Sequence, residues 1–256
     1  RQDDASADDY WRTLLAGFPG SAPLPFPTPA ATLEADEQRY GQVDQSLSAE
    51  ATAALQALAT QHKLTLATLV QGVWSVALSR YSGHADIIAA VAVSGRPTTL
   101  PGVETIVGPF SNNLPVRVEV TPDALCLPWL QSLQQQLMEA RDYEHVTPER
   151  IQKLSNLSSG RRLFDSLVVF ENYPLDPRLN FRPGNVEISE IHATASAALP
   201  LTLIAIPGQQ LALRLRFDRR QFSNSSAERI ASHVVASLAQ LSQGLPKSLS
   251  EVFALP

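Results

Sequence analysis

Residues 94–120 read SGRPTTLPGVETIVGPFSNNLPVRVEV. The stretch has three parts. Ser94-Gly95-Arg96-Pro97 closes an apolar run, Ile87 to Val93, with the turn chemistry of glycine and proline. A Gly- and Pro-punctuated loop follows. From Leu114, apolar Leu114, Val116, Val118 and Val120 alternate with Pro115, Arg117 and Glu119, the pattern of a half-buried strand. The run before the turn is apolar without alternation, as in a central strand covered on both faces. Pro115 has no N–H for a ladder, so the alternating strand belongs at an edge or begins irregularly. Between them, Gly108-Pro109-Phe110-Ser111-Asn112-Asn113 sets amides and a hydroxyl on bent backbone at a strand end, where sites of mixed α/β sheets collect. The alternative is plain turn capping, since asparagine bonds its own backbone. The stretch reads as the wall of a site rather than its reactive centre.

Outward from this stretch, apolar spacing marks helices and strands. Ser6 is a candidate cap for a helix carrying Tyr10, Trp11, Leu14 and Leu15, stopped by Gly17. From Pro19 to Pro29, five prolines fall in eleven residues, which makes an extended connector pinned by Leu24 and Phe26. Ser48 caps a second helix and Thr65 starts a third. The third is apolar on nearly every side through Trp74 to Tyr81, hence buried between layers, with Trp74 a core residue. Pro128 suits the first turn of a helix using Trp129, Leu130, Leu133, Leu137 and Met138, and Thr147-Pro148-Glu149 starts a short one. Phe164 to Phe170 is a buried strand and Val186 to Ile188 a weak one. Leu199 to Ile206 and Leu211 to Phe217 form a hairpin turning at Pro207-Gly208-Gln209. A capping box at Ser225 with Glu228 opens the last helix, and Gly244 ends it. The fold class is therefore α/β (α+β): a mixed β-sheet flanked by helices, built as one unit over residues 1–256, with 245–256 beginning a linker.

The 256 residues are 44% hydrophobic and 18% charged, enough to bury a substantial core. A net charge of -5 with no basic block argues against a polyanion-binding, and so a nucleic-acid-binding, surface. No run approaches the roughly 20 apolar residues of a membrane helix. The single cysteine, Cys126, excludes an internal disulfide and suits a reducing cytoplasm. The polar start without an initiator Met reads as a piece excised from a longer chain.

Catalytic and cofactor motifs are missing. Neither GxGxxG nor GxxxxGK[ST] occurs, no serine stands in GxSxG, and the five histidines are isolated from one another, so no catalytic residue and no metal site is assigned. His84-Ala85-Asp86 is the nearest approach to an acid/base pair, and a structural role is the simpler reading. Asn112 with Asn113, and Asn172 at the end of Phe170-Glu171-Asn172-Tyr173-Pro174, are the polar spots left over.

These residues resemble the later core motifs of the condensation domains of nonribosomal peptide synthetases. Ser94-Gly95-Arg96-Pro97, Gly102-Val103-Glu104 and the segment from Ile106-Val107-Gly108-Pro109-Phe110-Ser111-Asn112-Asn113 to Arg117 are similar to that family's SGRP, GVE and (I/V)GxFVNT...R elements. Tyr143-Glu144-His145 is a weaker match. Leu163-Phe164-Asp165-Ser166 through Phe170-Glu171-Asn172-Tyr173-Pro174 matches closely, and Tyr10-Trp11-Arg12 with Leu15-Ala16-Gly17 also fits. Ser111 and Asn113 replace the commoner Val and Thr. The family's HHxxxDG element has no counterpart, because the chain holds neither an HH pair nor an Asp-Gly dipeptide.

The resemblance implies the C-terminal, acceptor-side lobe of such a domain, with a chloramphenicol-acetyltransferase-like fold and without the N-terminal lobe. That lobe lines a tunnel in which amide bonds form between aminoacyl or peptidyl thioesters, a transferase step of antibiotic biosynthesis. Gly108, Ser111, Asn112 and Asn172 are the implied tunnel residues. Ser94, Gly95, Arg96, Phe110, Arg117, Asp165, Glu171 and Tyr173 are the implied motif and structural ones. No cofactor is implied for this chain itself; phosphopantetheine arms of carrier domains bring the substrates. The implied partners are the N-terminal lobe, donor and acceptor peptidyl carrier domains and an adjacent adenylation domain. A floor loop within Gly95 to Gly108 and a latch at Glu187 to Ala198 would cross to the missing lobe. Half of an epimerisation domain, or a non-catalytic module docking carrier or tailoring proteins, are the alternatives.

Overall fold

Among the described residues one mixed sheet is built, five of its six strands where the apolar runs predict them. The computed structural model describes residues 4–21, 24, 39–96, 102–108, 110–158, 160–171 and 199–252. Within them lie six α-helices: α1 (Asp4–Leu15), α2 (Ala49–Gln61), α3 (Leu66–Ser82), α4 (Cys126–Asp142), α5 (Pro148–Leu154) and α6 (Asn224–Leu241). The strands are β1 (Tyr40–Ser46), β2 (Asp86–Val93), β3 (Asn112–Glu119), β4 (Ser166–Phe170), β5 (Leu201–Ile206) and β6 (Ala212–Asp218). Their order is β1-β6-β5-β4-β2-β3. The inner trio β2, β4 and β5 runs parallel, and every outer pairing is antiparallel. β2, apolar from Ile87 to Val93, lies inside the sheet. β3 is an edge strand, with Pro115 opposite Ala90, as a residue lacking an N–H requires.

Two apolar clusters hold the layers together. In the larger, Leu55, Leu69, Trp74, Leu133, Ile230 and Val234 from α2, α3, α4 and α6 meet Val116, Leu203 and Leu215 of the sheet. In the smaller, Trp11, Leu15 and Phe18 at α1 pack with Ile151 of α5, Val146, Leu163, Ile88 and Leu114. α3 is buried from Thr68 through Ser79, so its polar atoms need partners. Trp74, fully buried, donates its indole N–H to Ser166 Oγ at 3.1 Å.

Helix starts follow side-chain capping. The hydroxyls of Ser48, Thr65 and Thr147 accept from the backbone N–H groups of Ala51, Thr68 and Arg150. Two caps differ from expectation. α1 begins at Asp4, leaving Ser6 inside its first turn. α6 is capped by Ser223, which accepts from Ser226 N, because Ser225 already lies in the helix. β1 is a strand the apolar pattern does not reveal, while the expected strand at 186–188 lies outside the described residues. The tail expected to leave the body at Leu245 pairs back onto it as far as Val252. Leu249 N donates to Ala124 O and Cys126 N to Lys247 O, and Leu249 and Val252 are buried.

Candidate functional site

The parallel pairing of β2 and β4 decides where the motifs meet. Val91 pairs with Val168, so β2 and β4 run out together at Val93 and Phe170. β3 starts at the same end, with Asn112 opposite Val93. Ser94-Gly95-Arg96, Phe110-Ser111-Asn112-Asn113 and Phe170-Glu171 are therefore gathered at one end of the sheet from three separate parts of the sequence. Glu171 N extends the pairing by donating to Ala205 O at 2.8 Å. Asn172, Tyr173 and the expected latch at 187–198 lie outside the described residues.

The two flanks of the opening stretch are pressed together. Gly95 has φ 63°, and a Cβ there would stand 1.7 Å from the Phe110 carbonyl oxygen. Arg96 reaches over this contact, its guanidinium 4.5 Å from the Phe110 ring centroid, and donates to Val103 O. Ser94 Oγ accepts from Arg96 N at 3.3 Å. Val103 is buried at a single 3-10 turn, Val103–Thr105, whereas Ile106 and Val107 point away from the body, 43% and 99% exposed. Gly108 and Ser111 are also exposed.

Both polar atoms of the Asn112 side chain are engaged. Its Nδ2 donates to Glu144 O at 2.8 Å and Val146 O at 2.7 Å, and its Oδ1 accepts from Asn113 N at 2.8 Å. The side chain ties the start of β3 to the turn between α4 and α5, the Tyr143-Glu144-His145 segment. Arg117, five residues on, is spent on architecture. Nε and Nη2 fork onto Asp86 at 2.9 and 2.8 Å, while Nη1 donates to the carbonyls of Leu14 and Ala16 at 2.9 and 2.8 Å. It thereby satisfies carbonyls that the end of α1 leaves open. The hydrogen bond to Asp86 raises the guanidinium pKa above its usual value. Asp86 faces Arg117 in this way and not His84, which is exposed and lends its backbone carbonyl to Ser79 Oγ at 2.7 Å.

Asp165 lies at the start of β4, at the opposite end from the gathered motifs, and accepts from Ser21 Oγ at 2.6 Å. Cys126 is buried, and burial, with Glu251 nearby, pushes its thiol up to about 11, so it is no thiolate nucleophile at neutral pH. Tyr10 stacks on Tyr143 at 4.5 Å, and burial, then Glu139, raises its hydroxyl pKa. Among the described residues no group of His, Cys, Asp and Glu is arranged to hold a metal, and no helix is long and apolar enough to cross a membrane. Backbone partners such as Glu144 O, Val146 O, Leu14 O and Ala16 O escape sequence reading, since every residue carries a carbonyl.

Residues 1–256 match the condensation domain family, and the chain belongs to it. A linear gramicidin synthase polypeptide of Brevibacillus parabrevis is 36% identical over 252 residues, which is 98% of this chain but only 5% of that protein. Among solved structures, a four-domain nonribosomal peptide synthetase, holo-AB3403, bound to AMP and glycine, superposes with a TM-score of 0.82 at 20% identity, over 97% of this chain and 20% of the other. The X-domain from teicoplanin biosynthesis gives 0.78 at 22% identity, over all of this chain and 58% of that one. At these identities the structures establish the fold, the mixed sheet flanked by helices of condensation domains.

Proposed function

We propose that this chain is the acceptor-side lobe of a condensation domain that joins carrier-bound aminoacyl or peptidyl thioesters in nonribosomal peptide synthesis. The observation carrying this reading is the convergence of Ser94-Gly95-Arg96, Phe110 to Asn113 and Phe170-Glu171 at one end of the sheet. The 58% share of the X-domain chain that is matched supports the reading of a lobe rather than a whole two-lobed domain. The acceptor's amine attacks the donor thioester carbonyl. A C–N bond forms, the C–S bond breaks, and the thiol leaves with the proton the amine loses. Amines are good nucleophiles toward thioesters, so orientation supplies much of the rate. Gly108, Ser111 and Asn112, at the gathered end of the sheet, form a polar wall of the tunnel for the phosphopantetheine arms; the resemblance adds Asn172, outside the described residues, and gives the proton-handling histidine of HHxxxDG to the N-terminal lobe. Asn112, fixed by its two carbonyl partners, is a wall that does not reorganise when substrate arrives.

The test is an amide-formation assay with loaded donor and acceptor carriers. The expected outcome is no product from this chain alone and product when it is joined to a lobe bearing HHxxxDG. Turnover by the chain alone overturns the proposal. A recruiting module is the second reading, favoured by one observation: an X-domain of the same fold is known in complex with OxyB. A joined domain that binds carriers without forming product favours that reading.

A further inference from the structure

α4 runs antiparallel to β3, and side chains join the two at both ends and in the middle. At the far end of the strand Trp129 donates its indole N–H to Glu119 O at 2.8 Å. In the middle Gln136 Oε1 accepts from Arg117 N at 3.0 Å, and its Nε2 donates to Arg117 O at 2.8 Å. At the gathered end the Asn112 amide holds the Glu144 and Val146 carbonyls in the turn that follows α4. Trp129 and Gln136 are two helical turns apart and so share one face of α4. The lengths agree, since Asn112 to Glu119 spans about 23 Å of strand and Trp129 to Asp142 about 20 Å of helix.

The middle join imitates a ladder. β3 is the outermost strand described, and its outward N–H and C=O groups need partners that a neighbouring strand would supply. A carboxamide carries the same donor and acceptor as a peptide group, and Gln136 presents both to one residue. It takes the place of a further strand at Arg117. Gln134 applies the same chemistry on the other flank of α4, where it accepts from Thr65 N at 2.8 Å and donates to Lys63 O at 2.7 Å.

We propose that Gln136 is a positioning residue for Asn112. By fixing the register of α4 on β3 at mid-strand, it sets the 144–146 turn where the Asn112 amide reaches both carbonyls at once. The consequence for substrate handling rests on the reading of Asn112 as a tunnel wall; the positioning itself does not.

Each join contains an N–H with its own nuclear magnetic resonance signal: the Trp129 indole, the Arg117 backbone amide and the Asn112 side-chain amide. The experiment measures their exchange with water in the full chain, without substrate or carrier, relative to the amide of buried Val168 in β4. Gln136→Met keeps the unbranched stem and removes both polar atoms. It should quicken exchange about tenfold at Arg117, and measurably at the Asn112 side chain as well. Gln136→Glu still accepts from Arg117 N but cannot donate to its carbonyl, and should fall between the parent and Gln136→Met. Gln134→Met, which cuts the pair on the other flank, should leave Asn112 at the parent rate. Asn112 exchange that stays at the parent rate while Arg117 quickens, or that responds equally to Gln134→Met, overturns the proposal. Because no product is measured, a lobe with another function leaves this result unchanged.

Discussion

At Gly95 the backbone sits at φ 63°, and a Cβ would come within 1.7 Å of a main-chain oxygen, that of Phe110. Two costs therefore add in Gly95→Ala: left-handed backbone and a contact that only main-chain movement relieves. We expect a loss of about 2–4 kcal/mol in urea unfolding. We also expect faster amide exchange at 110–113 than at the buried centre of β2; unchanged exchange there would show the contact to be unimportant. The glycine itself was legible as turn chemistry, but its need for a bare α-carbon was not, because Phe110 lies fifteen residues away in sequence. Asn112 shows the same limit. Its residue type left a site wall and a turn cap both open, and the structure adds a clamp onto carbonyls 32 and 34 residues further on.

Among the elements, the long apolar runs were readable because burial on both faces leaves a composition signature. β2, the β5–β6 hairpin and α3 fall where their sequences place them. β1 was not, since Tyr40–Ser46 has few apolar residues and an exposed outer edge. What seats it is the glycine at its second position. A Cβ on Gly41 would stand 2.2 Å from the Phe217 ring, so the strand lies flat on that aromatic face. Gly41→Ala should destabilise by about 1–3 kcal/mol through overpacking. Adding Phe217→Leu should recover part of that loss, giving a favourable coupling in a double-mutant cycle read by thermal unfolding. Additive effects would mean that β1 is held by its ladder alone.

Across the whole molecule, the first and last strands are joined by one buried acid. Asp218, 2% exposed at the end of β6, takes Arg39 through Nε and Nη2 at 3.1 and 3.0 Å and Arg220 through Nε and Nη2 at 3.1 and 2.7 Å. Burial pushes its pKa up, but the hydrogen bonds from Arg220 and Arg39 outweigh it and hold the carboxyl at about 2, against an ordinary 3.8. Because the folded value is depressed, the stabilisation is complete above about pH 4 and is lost as the pH falls toward 2. Its size is about 2 kcal/mol. Asp218→Asn should lower stability at neutral pH and flatten the acid limb of the stability curve between those limits; an unchanged acid limb would assign the acid sensitivity to other carboxylates. The sequence shows Asp218 only as the residue closing a hairpin arm. Its partner Arg39 stands 179 residues earlier, a separation that pairwise reading along the chain does not reach.

The division of the interior has an optical consequence. The chain has three tryptophans: Trp11 is sealed in the smaller apolar cluster and Trp74 in the larger, while Trp129 sits at the margin of the larger one. Each apolar cluster thus carries its own intrinsic fluorophore, and with the other two tryptophans replaced by phenylalanine a change in emission reports on one cluster without attaching a dye.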